Sequence, residues 1–383
     1  MGSPRQKLML HLSYLMFKLI KSCLHNSVIS LLLVILFLAT GTVGWTLPSY
    51  AGLPAGNAIT DGKALLRYAL PIDNQPVRDL QGDLEDISNQ MRANRRWSAV
   101  SKDVSKALRV LDKPAKILEG VPEQRQAQAE TLIAKLKDGV TGLQEIVSTK
   151  DKEKILQERS QILNVVGELE ELMVEKFPFE VPEEYSNLAQ LKGRATIDLE
   201  TNKGNITMIV DGYSAPITAG NFVDLVKRGF YDGLEFTRAE ESYVVQTGDP
   251  PGKEFGFIDP KTNQYRSIPL EILVEGDEEP LYGVTFEELG LYTELPILPF
   301  SAYGAVAMAR SEVDVNNASS QFFFLLFDSE LTPAGRNILD GRYSVFGYVT
   351  KGKEVLGKIE AGDKIVSGKV VQGMENFVEP KTT

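Results

Sequence analysis

The sequence predicts a multidomain α and β chain: an export leader, then a helical bundle, then a mainly antiparallel β-domain. Three observations carry this. Between Ala64 and Met173 the apolar residues recur at steps of three and four, the period of one helix face. From Ala195 onward they recur at steps of two, the period of a strand with one buried side. Between the two regimes stand Pro178 and Pro182, which no helix continues through.

At 383 residues the chain has room for two or three domains, and a 43% hydrophobic content gives each a core. A formal charge of -11 argues against a nucleic-acid partner, because phosphate backbones select basic surfaces.

Residues 1–51 read as a secretory signal peptide. Arg5, Lys7, Lys18 and Lys21 come without a single acid, an apolar run follows from Val28 to Ala39, and Ser49 and Ala51 fit the small-residue cleavage rule. An uncleaved anchor needs about 18 apolar residues, and Ser30, Thr40 and Thr42 dilute the run from Ile29 to Trp45. Contact with a membrane is therefore expected only through this segment, before cleavage. No twin-arginine pair is present in this segment, which favours the general export route. Cleavage after Ala51 removes His11, His25 and Cys23, the only histidines and cysteine, and takes the charge from -11 to -15 by loss of four cations. The mature chain then has no disulfide, thiol chemistry, imidazole metal site or histidine-based triad, and no cofactor is expected.

The helical domain is expected over residues 52–176. Val77, Leu80, Leu84, Ile87 and Met91 share one face, as do Trp97, Val100, Val104, Leu108 and Leu111. Leu132, Leu136, Val140, Leu143 and Val147 form a third stripe; Ile155, Ile162, Val166, Leu169 and Met173 form a fourth. Pro114, Gly120 to Pro122 and Ser148 to Asp151 punctuate them, so four helices bury one another rather than extend a coiled coil. Arg92, Arg95, Arg96 and Arg109 read as a solvated face, or as a docking patch for an acidic loop or partner.

Residues 177–192 form the expected linker, and 193–383 the β-domain. Ala195, Ile197 and Leu199 alternate with polar neighbours, Asn202 to Gly204 turns the chain, and Ile206, Met208 and Val210 alternate again, a hairpin. Further strands are predicted at Leu234 to Gln246, Gly304 to Ala309, Phe322 to Phe327 and Ser344 to Val349. An insertion near 250–303 carries eight acids between Glu271 and Glu294, read either as a solubilising loop or as a surface that attracts cationic clients or the basic helical face.

Within the β-domain, Phe236 to Asp249 places one cation, Arg238, and one neutral amide, Gln246, eight residues apart on a strand that runs into the Gly248-Asp249 turn. The plain reading of Arg238 is a surface salt bridge. Its surroundings point further. Pro216 to Phe222 and Gly229 to Phe236 precede it; Gly304 to Ala309, Ser319 to Phe323 and Leu339 to Gly347 follow. In this order, over about half the chain, these segments resemble the cyclophilin family of peptidyl-prolyl isomerases.

That resemblance implies a closed, eight-stranded, antiparallel β-barrel and proline-containing polypeptide clients. It implies that Arg238 addresses the prolyl nitrogen, and that Gln246 bonds the preceding carbonyl or helps hold Arg238. Gln321 matches the family's second amide, contacting substrate backbone. Tyr243, Val244, Phe323, Ile338, Leu339 and Tyr343 match the proline pocket, with Ala309 and Arg310 on the strand that pairs with the client. The family often has phenylalanine, methionine, tryptophan and histidine where this sequence has Tyr243, Val244, Ile338 and Tyr343, swaps that keep an apolar or aromatic surface.

With its leader and helical domain, the chain resembles the large thylakoid-lumen cyclophilins of plants and cyanobacteria. That implies a lumenal or periplasmic location in a cyanobacterium-like source. It also implies a role in photosystem II assembly, with photosystem II subunits as partners. The alternative is a catalytically weak binding module regulated by its helical domain.

Overall fold

The computed structural model describes residues 59–92, 96–327 and 337–381. The expected leader and Arg95 lie outside the described residues.

The helical domain comprises α1 (Gly62–Tyr68), α2 (Gln75–Arg92), α3 (Trp97–Leu111), α4 (Pro114–Leu118), α5 (Gln126–Thr149) and α6 (Lys152–Met173). The four expected stripes are α2, α3, α5 and α6; α1 and α4 are too short to show a period. Val77, Leu80, Leu84, Val100, Val104, Val140, Leu143 and Leu169 pack into one core without solvent exposure. The turn between α5 and α6 follows from its residues: Lys150 takes a left-handed conformation and the Asp151 carboxylate caps α6 by accepting from Lys154 N.

The β-domain contains β1 (Gln190–Leu191), β2 (Arg194–Thr201), β3 (Gly204–Asp211), β4 (Phe236–Glu240), β5 (Val244–Thr247), β6 (Ile258–Asp259) and β7 (Gln264–Tyr265). It continues with β8 (Glu271–Ile272), β9 (Leu281–Tyr282), β10 (Ala305–Met308), β11 (Phe322–Leu325), β12 (Val345–Lys351), β13 (Ile365–Gln372) and β14 (Phe377–Val378). An α-helix, α7 (Pro216–Lys227), follows the β2–β3 hairpin. The main sheet is antiparallel, in the order β13-β2-β3-β12-β10-β11-β5-β4.

The expected closed barrel is corrected by this order. The sheet has eight strands but is an open half-barrel, and six more short strands pair separately as β1–β14, β6–β7 and β8–β9. Its end strands, β13 and β4, approach each other at the isolated bridge Glu235 to Lys364, flanked by backbone bonds from Ile365 N to Leu234 O at 2.9 Å and from Phe236 N to Asp363 O at 2.7 Å. Beyond that point β4 carries Arg238 and Glu240 half exposed to solvent, and β13 shifts register twice, so no ladder continues across the gap.

Alternation along the strands divides the apolar residues between two cores. Phe322, Phe324, Val245 and Phe346 face inward onto α7, where Phe222 meets Phe322 edge-on at 5.0 Å between ring centres. Phe323, Leu325, Val244, Ala305 and Ala307 face the other way, into an outer cluster with Leu298 and Phe300 of the insertion and Leu65 and Leu66 of α1. The hydroxyl of Tyr348 donates to Pro299 O at 2.8 Å, and Arg194 reaches from β2 to the carbonyl of Leu66. The helical and β parts are thus joined through α1.

The segment expected as a linker is partly woven into the β-domain, since Gln190 and Leu191 pair with Val378 and Phe377. The acidic insertion is not all surface either. Glu271 is fully buried, accepting from Ile217 N at 3.2 Å and Thr218 N at 2.8 Å at the start of α7, where helix amide groups lack partners of their own. Burial pushes its carboxyl up to about 7, against these two bonds.

Candidate functional site on the outer sheet face

Three adjacent strands, β4, β5 and β11, bring the expected residues together. Arg238 stands opposite Gln246, and Gln246 opposite Phe323, so the cation, the amide and the aromatic ring follow one another across the sheet. A step of two along β5 puts Val244 beside Gln246 on this face and sends Val245 to the inner core.

The amides form a relay. Gln246 Nε2 donates to Gln321 Oε1 at 2.8 Å, and Gln321 Nε2 donates to Asp249 Oδ1 at 3.1 Å and to Phe255 O at 2.8 Å. Burial raises the pKa of the Asp249 carboxyl. Gln246 was expected to bond a client carbonyl or to help hold Arg238; its side-chain bond goes to Gln321. Arg238 is held by other groups. Its Nε donates to Glu240 Oε1 at 2.6 Å, and its guanidinium carbon lies 5.5 Å from the centre of the Tyr243 ring. The hydrogen bond to Glu240 is the main cause that raises the guanidinium pKa further, and it lowers the Glu240 carboxyl in return. Arg238 is 46% exposed, so the surface salt bridge and the site reading describe the same side chain.

The aromatic floor is a stack. Phe323 lies parallel to Phe300, 5.9 Å between centres and 2° between planes, and meets Tyr343 edge-on at 5.5 Å. Arg310 covers the far side of Tyr343 at 4.9 Å while its Nε donates to Arg342 O. Ala309 N donates to Gln321 O at 2.9 Å, extending the β10–β11 ladder past the last paired residue. Phe323 is only 5% exposed, which leaves Tyr243, at 37%, with more open aromatic surface.

Leu339 turns into the outer cluster, and the loop is pinned there by Asp340, whose carboxylate accepts from Phe300 N and Asn337 N. Ile338 does not join it. At 76% exposed it stands outside the buried apolar cluster, while the flanking Asn337 and Leu339 take the inward direction. Three contributors went unseen in the sequence: Glu240, Phe300 and Asp340. Glu240 had a local signal, standing two residues from Arg238 on a strand, whereas Phe300 and Asp340 reach the site only by tertiary packing.

A guanidinium, two bonded amides and an aromatic floor on the outside of an antiparallel sheet define a prolyl-peptide isomerase type of domain, one that needs no metal or nucleophile for its chemistry. Comparison with known families agrees. Residues 196–377 match the model for cyclophilin type peptidyl-prolyl cis-trans isomerases, and residues 61–174 match the PsbQ-like domain of CYP38-like isomerases. A putative thylakoid lumen peptidyl-prolyl cis-trans isomerase, sll0408 of a Synechocystis strain, is 57% identical over 93% of this chain and 95% of its own. The chloroplastic isomerase CYP38 of Arabidopsis thaliana is 46% identical over 87% of this chain and 79% of its own. The chain belongs to the cyclophilin-type peptidyl-prolyl cis-trans isomerase family, in the group with a PsbQ-like helical domain. Export to the thylakoid lumen, expected from the leader, agrees with these relatives, one lumenal and one chloroplastic.

Proposed function

We propose that the chain accelerates prolyl isomerisation in exported or thylakoid membrane clients, photosystem II subunits among them, with Arg238 as the catalytic cation. Resonance gives the peptide C–N bond a rotation barrier of about 20 kcal/mol, and only a prolyl bond populates both isomers appreciably. As the bond twists, resonance is lost and a lone pair localises on the prolyl nitrogen. A guanidinium aimed at that nitrogen stabilises the twisted state more than either planar one. Tyr243, Val244, Leu339, Tyr343 and the edge of Phe323 would hold the ring, and Gln321 and the backbone at Ala309 and Arg310 would hold the flanking chain.

The observation that supports this best is the adjacency of Arg238, Gln246 and Phe323 across three paired strands. The experiment is magnetisation exchange between cis and trans forms of a proline-containing tetrapeptide with the purified mature chain. Exchange no faster than in buffer would remove the catalytic reading. The photosystem II assignment is tested by cross-linking in thylakoid membranes, with photosystem II subunits as the expected captured clients; their absence among captured proteins would remove that part.

A second reading has its own support. Leu65 and Leu66 of α1 lie in the apolar cluster that contains Val244, Phe323 and Leu339, which favours a binding module regulated by its helical domain. On that reading, deletion of residues 52–180 raises peptide affinity several-fold in a fluorescence titration, and unchanged affinity counts against it.

A further inference from the structure

We propose that Glu240 is a positioning residue for Arg238, fixing the direction of the guanidinium while offsetting part of the charge that a prolyl nitrogen would meet. The inference rests on the isomerase reading of Arg238. Residues 238 and 240 are two apart on β4, so their side chains leave the strand on the same side. Their contact, Nε to Oε1, is 2.6 Å. Both are about half exposed, at 46% and 50%, so the pair sits where a client would arrive.

The two groups that hold Arg238 are set by a single turn. Glu240 and Tyr243 are its first and last residues, closed by the bond from Tyr243 N to Glu240 O at 3.1 Å. Ser242 makes the reversal in the left-handed region, with φ 59°, a conformation uncommon for a residue other than glycine. The carboxylate and the Tyr243 ring therefore reach the guanidinium from fixed positions. A guanidinium has one hydrogen on Nε and four on its two terminal nitrogens. Giving Nε to Glu240 leaves the terminal nitrogens as the donors available to a client.

Orientation and charge work in opposite directions here. A fixed guanidinium costs less to align in the twisted state. A carboxylate against it turns a single positive charge into a near-neutral pair, whose field falls off faster with distance. Substitutions separate the two effects. Glu240→Gln keeps an acceptor of similar shape and removes the negative charge; Glu240→Ala removes both.

The test is exchange spectroscopy on a neutral proline-containing tetrapeptide with the mature chain and its variants. Because exposed ion pairs are worth little, Glu240→Gln is expected to raise kcat/KM about two- to fivefold. The gain should lie in kcat rather than KM. Glu240→Ala should be slower than Glu240→Gln, and its Arg238 Nε–H resonance should shift, showing the lost restraint. In an Arg238→Ala background neither change should matter. The proposal is overturned if Glu240→Gln is no faster than the parent, if alanine and glutamine variants are equal, if the Nε–H resonance stays in place in Glu240→Ala, or if a gain survives without Arg238. Failure of the parent to accelerate exchange at all removes the isomerase reading and this inference with it. An Arg238-dependent rate without the glutamine gain removes only the role of Glu240.

Discussion

Arg238→Ala is expected to lower kcat/KM for a proline-containing peptide by about 10²- to 10³-fold, the loss typical of removing one charge-stabilising donor from a catalytic site. Among the described residues, no neighbouring cation takes over. Arg310, the other guanidinium by the aromatic floor, directs Nε to Arg342 O and Nη1 to Ser311 O and stacks on Tyr343. Arg238→Lys should recover little, since an ammonium lacks the planar fork that binds Glu240 through Nε and keeps other donors free. Line-shape analysis of cis and trans peptide signals gives the rate, and a binding titration separates affinity from turnover. Peptide affinity should change by no more than about threefold, because the aromatic and backbone contacts remain. A fall in affinity with an unchanged bound-state rate would make Arg238 a binding group and not the catalytic one.

The second large effect is on stability. Glu170, on α6, and Glu271, on β8, are both fully buried, and burial pushes each carboxyl up to about 7; Arg78 opposes the shift at Glu170, and the α7 amide groups oppose it at Glu271. Both folded values lie above the ordinary 4.5, so the folded chain binds these protons more tightly than the unfolded chain. Their stabilisation is complete below pH 4.5 and is lost as pH rises to about 7. Glu240, Glu288 and Asp151 have lowered pKa values and act on the acid side of this window. Thermal unfolding should therefore occur at a higher temperature at pH 5 than at pH 8. Glu271→Gln, which keeps one acceptor for the α7 amide groups, should flatten the dependence; an equal or higher melting temperature at pH 8 would refute the assignment.

The outer face of the sheet shows how far the sequence could be read. Phe322, Phe323 and Phe324 are three identical residues in a row, and alternation alone sends the middle one to the site and its neighbours to the core. The eight-residue interval from Arg238 to Gln246 has the sequence pattern of a single strand. It is two strands joined by a tight turn, and that turn makes the two residues neighbours. Nothing local foretold that Gln246 bonds Gln321 across 75 positions, or that Ile338 and Leu339 point in opposite directions. The closed barrel follows from resemblance alone, and the strand order, which ends at β13 and β4, decides against it.

The sequence by itself determined the periods, and with them the helical and β parts and the proline-marked boundary between them. These are legible because backbone geometry imposes 3.6- and 2-residue repeats on any chain that buries one face. Tertiary structure alone decided that Phe300 lies on Phe323, that Glu271 is buried at the start of α7, and that α1 joins the two domains. Such contacts link residues far apart in sequence, and which of many apolar or charged groups meet is settled by how the surfaces pack, a quantity that no local repeat contains.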